Sequence, residues 1–224
     1  GAIIFDGGSS SEDQVGRYRI LPYMKYLGYQ KIQIAVISHM DIDHYSGIKE
    51  LLEMGKIKYL GLPEIPKDET MKKIIGIAKK RGTTIFYLSR GRQITTKDGS
   101  LKVLHPQKNS QMEKNAASLV MQGKILGYRV LLTGDVEKEG EEELLSEELE
   151  RADILKAAHH GSKNSTSNEF LQKVQPKQTV ISCGKQNRYG HPHLETIHRL
   201  QTYRTKIYRT DRSGAIIFFK RRDG

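Results

Sequence analysis

Runs of β-type apolar residues alternate with stretches of helical spacing along most of this chain. Ala2 to Phe5 predicts a short strand ending in Asp6-Gly7-Gly8. Arg17 to Leu27 has helical spacing, with Ile20, Leu21, Met24 and Leu27 on one side. Ile32 to Ser38 reads as a strand buried on both faces, Gly47 to Met54 as a helix and Lys58 to Leu62 as a strand. Met71, Ile74, Ile75 and Ala78 fall at i, i+3, i+4 and i+7, so Asp68 to Lys80 is expected to be helical.

The middle of the chain changes character. Thr84 to Leu88, Ile94 to Thr96, Leu101 to Leu104, Ser118 to Gln122 and Arg129 to Thr133 read as short strands, with hairpin turns at Asp98-Gly99 and Gly123-Lys124. Their short connections predict an antiparallel meander. Next come an acidic helix (Glu139 to Leu149), a strand (Ile154 to Ala158), a helix (Asn168 to Val174), a strand (Val180 to Ser182) and a helix (His193 to Tyr203). Strands at Lys206 to Arg209 and Ala215 to Phe219 are expected to close the chain across a Ser213-Gly214 turn. There is no internal repeat and no linker, so the reading is one α/β domain over residues 1–224. The strand before Asp6 looks like the second of a hairpin, whose partner would precede Gly1.

A chain of 224 residues can close one sizeable core. No stretch approaches the ~18–20 apolar residues of a membrane span, and Gly1 to Asp6 reads as a strand rather than a leader. The segment is therefore expected to be soluble by itself. The lone Cys183 excludes an intramolecular disulfide and reads as a small buried apolar residue. A net charge of +11, from 37 basic and 26 acidic residues, favours a polyanionic partner, nucleic acid or an anionic membrane surface. Basic residues concentrate at Lys72-Lys73, Lys79-Lys80-Arg81 and Lys220-Arg221-Arg222, the last read as a solvated tail.

Candidate chemistry gathers at the ends of these elements. His39-Met40-Asp41-Ile42-Asp43-His44 puts four metal-ligating side chains within six residues at a strand-to-helix junction. Side chains there can converge without bending an element. Asp135 follows in Thr133-Gly134-Asp135, then His159-His160-Gly161-Ser162, then Gly190-His191-Pro192-His193. Six of the eight histidines lie in these clusters, which random scatter would not produce.

The order of these motifs resembles the metallo-β-lactamase superfamily over nearly the whole chain. Asp6-Gly7-Gly8 looks like that family's first element, a strand ending in Asp-x-Gly. His39, Asp41, Asp43 and His44 look like its His-x-His-x-Asp-His segment, Asp135 like the Asp that bridges two metals, and His191 like its final His. The chain is also similar to the subgroup at the C-terminal end of ComEC-type competence proteins. In that subgroup Asp replaces the second His, Asn replaces the third, and His-His-Gly-Ser and Asn-x-Tyr-Gly-His-Pro segments are hallmarks. Asp41, Asn115, His159-His160-Gly161-Ser162 and Asn187-Arg188-Tyr189-Gly190-His191-Pro192 match them. The resemblance implies a four-layer αββα sandwich and a metal-dependent hydrolase. In context it implies the soluble part of a polytopic membrane protein that takes in DNA. Such a domain would face the extracytoplasmic side, with DNA as partner and nuclease activity on the strand left outside.

The departures from the His-rich pattern have chemical content. Asp41 and Asn115 add oxygen donors where imidazoles would stand, which favours Mn²⁺ or Mg²⁺ while still admitting Zn²⁺. The resemblance implies two divalent ions and no further cofactor. One would be held by His39, Asp41 and Asp135, the other by Asp43, His44, Asp135 and His191. Two ions roughly 3.5–4 Å apart suit phosphodiester cleavage by a bridging hydroxide. A histidine of near-neutral pKa suits the general acid. The motif order places His159 or His160 like the catalytic His of ribonuclease Z, a superfamily cousin. Neighbours on a strand point to opposite faces, so either could face the site.

Ser162, Lys163 and Ser165 are candidates for phosphate contact, with Arg188 a further one. Asn115 reads either as a neighbour of the metal ligands or as a cap for the turn before Ser118, and Tyr189 as either a base-stacking or a packing residue. His105, before Pro106, reads as a surface histidine, His193 as a helix start and His198 as a helix-face residue. Two alternatives to a nuclease stand beside it. One is another hydrolase of this fold acting on a β-lactam, a thioester or a phosphorylated small molecule. The other is a DNA-binding module whose site no longer catalyses.

Overall fold

The computed structural model describes residues 1–112, 114–147 and 149–220, and the chain divides into two compact units. The first is Gly1–Leu88 with Lys108–Lys114, the second Ser89–Gln107 with Asn115–Gly224.

In the first unit, β1 (Ala2–Phe5), β2 (Ile32–Val36), β3 (Ile57–Pro63) and β4 (Thr84–Leu88) form a parallel sheet in chain order. Parallel neighbours need crossovers, and helices supply them. A π-helical turn at Gly16–Ile20 runs into α1 (Leu21–Tyr26), followed later by α2 (Ile42–Glu53) and α3 (Glu69–Lys80). Asp68 caps α3 by accepting from Met71 N, and Met71, Ile74 and Ala78 form its buried stripe. That stripe shares one core with Ile48, Leu51 and Leu52 of α2 and Ile32, Leu60 and Leu62 of the sheet. β2 is not buried on both faces, because Gln33 keeps its polar side chain in solvent and Ile34 is half-buried. Thr84–Leu88 follows the α3 crossover and so joins the parallel sheet rather than the meander.

In the second unit, β5 (Gln93–Thr96), β6 (Gly99–His105), β7 (Val120–Ile125) and β8 (Tyr128–Leu132) are the antiparallel meander. β9 (Ile154–Lys156), β10 (Gln178–Ile181) and β11 (Lys206–Arg209) add to it in parallel, giving the order β11-β10-β9-β8-β7-β6-β5. Their crossovers carry α4 (Lys138–Leu145), α5 (Asn168–Val174) and α6 (Leu194–Thr202), and a single turn, α7 (Thr210–Ser213), follows β11. Leu131, Leu155, Phe170, Leu171, Ile181 and Leu200 centre its core. The first hairpin turns just before Gly99, which pairs with Thr96. The second turns at Leu126-Gly127, both at positive φ as a tight hairpin requires. Gly123 and Lys124 instead pair with Val130 and Arg129 inside the ladder.

Ala215 to Phe219 does not form the expected strand. The Thr210 hydroxyl donates to Cys183 O and accepts from Cys183 N, both at 2.9 Å, which turns the chain into α7 before a hairpin can form. Arg221 and Arg222 of the expected basic tail lie outside the described residues. His105 is fully buried at the end of β6 rather than at the surface. Its Nδ1–H donates to Ser118 O at 2.9 Å, and Nε2 lies 3.1 Å from a Glu143 carboxylate that also pairs with Arg90. Burial holds its pKa below the usual histidine range.

A buried carboxylate ties α4 to the start of α5. Glu141 accepts from Thr166 N and, at 3.0 Å, from Ser167 N, and Ser167 caps α5 through Phe170 N. Burial raises the Glu141 pKa despite these donors. Glu141→Gln is expected to cost about 1–3 kcal/mol, because the amide turns one N–H donor toward another; chemical denaturation measures this. With a folded pKa above 4.5, the wild-type contribution falls as pH rises from there through the raised value. The Gln variant lacks that slope.

Candidate functional site

In the first unit the ligand-type residues sit where β2 gives way to α2. Asp41 precedes α2 with extended backbone (φ −87°, ψ 145°), yet its side chain caps nothing. An Asp there usually accepts from first-turn N–H groups. Here the carboxylate turns toward His39, with Oδ2 3.7 Å from Nε2, and stays 52% exposed. The neighbouring His39 imidazole holds the Asp41 pKa below the usual range, against the effect of partial burial. Asp43 and His44 lie in the first turn of α2, which starts earlier than Gly47 because Asp41 O already accepts from His44 N at 2.9 Å. A carboxylate in that turn is favoured by the helix dipole.

Asp6 organises both histidines. Its Oδ1 accepts from Ser38 N at 2.7 Å, and its Oδ2 accepts from Ser38 Oγ at 2.8 Å and His44 Nδ1 at 2.9 Å. With its proton given to Asp6, Ser38 Oγ accepts from His39 Nδ1 at 3.0 Å. Both rings therefore carry their proton on Nδ1 and present Nε2 as the lone-pair nitrogen. Burial pushes the Asp6 pKa up, but the charge and hydrogen bond of His44 outweigh it and the net shift is downward. The His39 and His44 ring centroids are 4.1 Å apart. His39 Nε2 is buried without a hydrogen-bond partner among the described residues. Leaving such an atom unsatisfied is unfavourable, and a cation is the partner that suits it.

Glycine at position 8 follows from close packing. A Cβ there would lie 2.5 Å from Ile42 O and 2.7 Å from Asp43 C. Gly8→Ala is expected to displace the turn bearing Asp43 and His44, destabilise the protein by about 1–3 kcal/mol and weaken metal binding. Denaturation and calorimetric titration with Mn²⁺ read the two effects separately.

In the second unit, Asp135, His159-His160 and His191 follow β8, β9 and β10, beyond the C-terminal ends of mutually parallel strands. That is where ligands bind in open α/β sheets. Asp135 N donates to Ser118 Oγ at 3.2 Å, and Lys156 Nζ donates to Gly134 O at 2.8 Å, 3.5 Å from Asp135 Oδ1. His159 and His160 are not on a strand: β9 stops at Lys156, and both take left-handed backbone (φ 46° and 53°) in a tight turn at Ala158–Gly161. Two successive non-glycine residues there store strain. Alternation of faces does not apply, and both rings aim at Asp135. His160 Nε2 lies 3.3 Å and His159 Nε2 3.8 Å from Asp135 Oδ2. Their other nitrogens are anchored, His160 Nδ1 donating to Ser182 O at 2.7 Å and His159 Nδ1 to Glu137 Oε1 at 2.8 Å. Gly161 completes the turn at φ 85°, where a Cβ would lie 2.6 Å from Pro192 Cβ.

The His191 ring lies 5.4 Å from that of His159 and 6.3 Å from that of His160. Asn187 fixes its backbone, accepting from His191 N at 2.9 Å and donating to His191 O at 2.7 Å. Burial, then the charges of His159, His193 and His160, push the His191 pKa down to about 4. It is thus a neutral imidazole near neutral pH, the form that ligates metals. Asn115 Oδ1 is buried with no hydrogen-bond partner among the described residues. The turn to Ser118 N is closed at 3.0 Å by the Asn115 carbonyl, not by its side chain.

Among the candidate phosphate contacts, Lys163 is exposed, whereas Ser162 and Ser165 are buried. The Ser165 hydroxyl donates to Ala158 O at 3.0 Å. Arg188 is exposed, its guanidinium 4.7 Å over the Tyr189 ring, and Tyr189 stacks on His191 at 5.8 Å. His193 is the residue before α6, and His198 is exposed on that helix. Cys183 is half-buried, its Sγ–H donating to Asp211 at 3.4 Å, and burial raises its pKa to about 11, which removes it as a nucleophile. Sequence reasoning does not single out Ser38, Glu137, Lys156 or Arg199. Arg199 donates to the carbonyls of Thr166, Lys163 and Ser165 at 3.1, 3.0 and 2.9 Å. Backbone acceptors leave no mark in a sequence. Glu137 had the only legible signal, its place two residues after Asp135.

Two half-sets of imidazole and carboxylate donors on strand-end loops, within these two sheets, define the class of protein. The chain belongs to the metallo-β-lactamase superfamily, whose family model matches residues 1–185. Its fold is the metallo-β-lactamase fold expected from the sequence, and that fold binds divalent metals. It is similar to YhfI, a metallo-β-lactamase fold protein from Bacillus subtilis, with a TM-score of 0.57 and 14% identity over 92% of this chain and 82% of that one. Igni18, a metallo hydrolase from Ignicoccus hospitalis, gives a TM-score of 0.51 and 14% identity over 91% and 82%. In sequence the chain is 38% identical over 216 residues to ComE operon protein 3 of Bacillus subtilis and 30% identical over 232 residues to Competence protein ComA of Neisseria gonorrhoeae. The alignments cover 94% and 99% of this chain but 27% and 30% of those relatives, so it spans under a third of their length. The ComEC-type resemblance is carried by these competence proteins.

Proposed function

We propose that this chain is the metal-dependent hydrolase domain of a longer competence-type protein, and that it cleaves phosphodiester bonds of DNA. The observation that carries this reading is the buried His39 Nε2, which has no hydrogen-bond partner among the described residues and lies 3.7 Å from Asp41, whose carboxylate leaves its helix uncapped. That is an imidazole and a carboxylate prepared for a cation. The proposed ligands are His39, Asp41, Asp43 and His44 in the first unit and Asp135 and His191 in the second, with Asn115 a further candidate for supporting them. The oxygen-rich set favours Mn²⁺ or Mg²⁺ over Zn²⁺.

Two divalent ions bound by this set would acidify a water and neutralise phosphate charge. His160 and His159, each anchored through Nδ1, are the proposed proton donors to the leaving oxygen. Lys163 and Arg188 are exposed cations suited to the phosphates. The net charge of +11 and the competence relatives support DNA as the partner. No helix among the described residues is long and apolar enough to cross a membrane. We place the domain in a polytopic membrane protein, facing the extracytoplasmic side.

The test is cleavage of labelled single-stranded and duplex DNA with Mn²⁺, Mg²⁺ and Zn²⁺ in parallel. Cutting is expected to be strongest with Mn²⁺ and to stop with a chelator. Intact DNA in every lane, with salt-dependent binding retained, would replace the nuclease with a DNA-binding module. Nitrocefin turnover with Zn²⁺ alone would favour a small-substrate hydrolase.

A further inference from the structure

The stretch from Gln14 to Met40 holds four cations, Arg17, Arg19, Lys25 and Lys31, and no carboxylate. It also holds four tyrosines, Tyr18, Tyr23, Tyr26 and Tyr29. All four rings are exposed, at 63%, 47%, 84% and 38%, and so are the four cations. The inward side of this segment is supplied by Gly16 and Met24, with Ile20 and Leu21 packed against the same core. The rings are therefore not needed for packing. Tyr23 and Tyr26 stack with centroids 6.4 Å apart and planes 20° apart. Asp13 and Asp41 flank the stretch in sequence, Glu12 lies 3.8 Å from Arg19, and Glu50 accepts from Arg17 N at 3.0 Å. Arg17, Lys25 and Lys31 have no ion-pair partner within 4.0 Å among the described residues.

Exposed aromatic rings are unfavourable in water, and a cluster of them marks a binding surface. We infer that this segment is a docking surface for a single-stranded polynucleotide. Unpaired bases stack on Tyr18, Tyr23 and Tyr26, and the phosphates between them pair with Arg17, Arg19 and Lys25. Exposed rings and exposed cations interleave along this segment, which suits a strand that alternates flat bases with anionic phosphates. A duplex hides its base faces and leaves only the phosphate contacts. An anionic membrane fits less well, because the exposed aliphatic payload here is Leu27 alone, and interfacial insertion needs a broad apolar face. The inference rests on the nucleic-acid reading given above, but not on the metal.

The test is equilibrium binding by the 224-residue chain, in chelator, to a labelled single strand, to a duplex of equal length and to anionic lipid vesicles. The combined Tyr18→Ala, Tyr23→Ala and Tyr26→Ala variant is expected to bind the single strand about 10–100-fold more weakly, with duplex affinity little changed. The corresponding Phe variant keeps the rings and should bind like wild type. Replacing Arg17, Arg19 and Lys25 by Gln should reduce the salt slope by about 2. Single-strand affinity unchanged in the Ala variant overturns the surface and leaves the nuclease reading intact. A wild-type chain that binds no polynucleotide overturns both. Vesicle binding lost in the Ala variant, at constant single-strand affinity, assigns the surface to membrane instead.

Discussion

Asp43→Ala is expected to lower metal-stimulated DNA cleavage by at least about a hundredfold while the fold survives. Removing a group that merely supports a metal ligand lowers affinity or activity by about 10–100-fold, so losing a proposed ligand itself should do no less. Stability should move little. Asp43 sits half-buried in the first turn of α2, where a carboxylate's favourable interaction with the helix dipole is worth about 0.3–1 kcal/mol. The variant should therefore stay folded by circular dichroism, bind less Mn²⁺ by calorimetry and cut poorly. Cutting that persists in a variant with intact Mn²⁺ binding would remove Asp43 from the ligand set. Cutting that persists while Mn²⁺ binding is lost would point to a contaminating nuclease.

The candidate donor clusters were legible because they are local. Four donors between His39 and His44 need no knowledge of the fold to be noticed, although α2 starts at Ile42, earlier than the Gly47 that the apolar spacing gives. Strands separated by helical spacing suit the parallel pairing of β2 with β3, whereas β4 has strand composition that reads as meander and joins the parallel sheet only through the α3 crossover. What was hidden depends on partners far away in the chain. A lone histidine before a proline carries no sign that Ser118 and Glu143 will enclose it, so His105 looked like a surface residue. The pairing of Glu141 with Thr166 and Ser167 is equally silent, because its donors are backbone N–H groups. His159 and His160 extend an apolar run that reads as strand, and only the left-handed turn reveals that both rings share one target. At the end of the chain, Ala215 to Phe219 has strand composition, but the Thr210–Cys183 bonds decide the path before that composition can act.

Asp6→Ala is expected to be the most destabilising of these changes, at about 3–5 kcal/mol, because it strands several buried donors that each cost about 1–3 kcal/mol when left unsatisfied. Asp6 is 11% exposed at its side chain and accepts from three donors, Ser38 N, Ser38 Oγ and His44 Nδ1. Removing it strands those donors and frees both imidazoles to rotate or change tautomer. Asp6→Asn separates the two effects. The amide oxygen can still accept from Ser38 N, so the stability loss should be smaller. Its NH₂ group opposes the remaining donors, so Mn²⁺ affinity should still fall about 10–100-fold. The pH dependence has a definite sign. The folded Asp6 pKa lies below 3.8, so its contribution is complete above 3.8 and fades as pH falls through the folded value. The stability gap between wild type and Asp6→Ala should thus be constant near neutral pH and narrow only in strong acid. If Asp6→Asn bound Mn²⁺ as tightly as wild type, the tautomers of His39 and His44 would not depend on this carboxylate, and Asp6 would hold the β1 loop against β2 and nothing more.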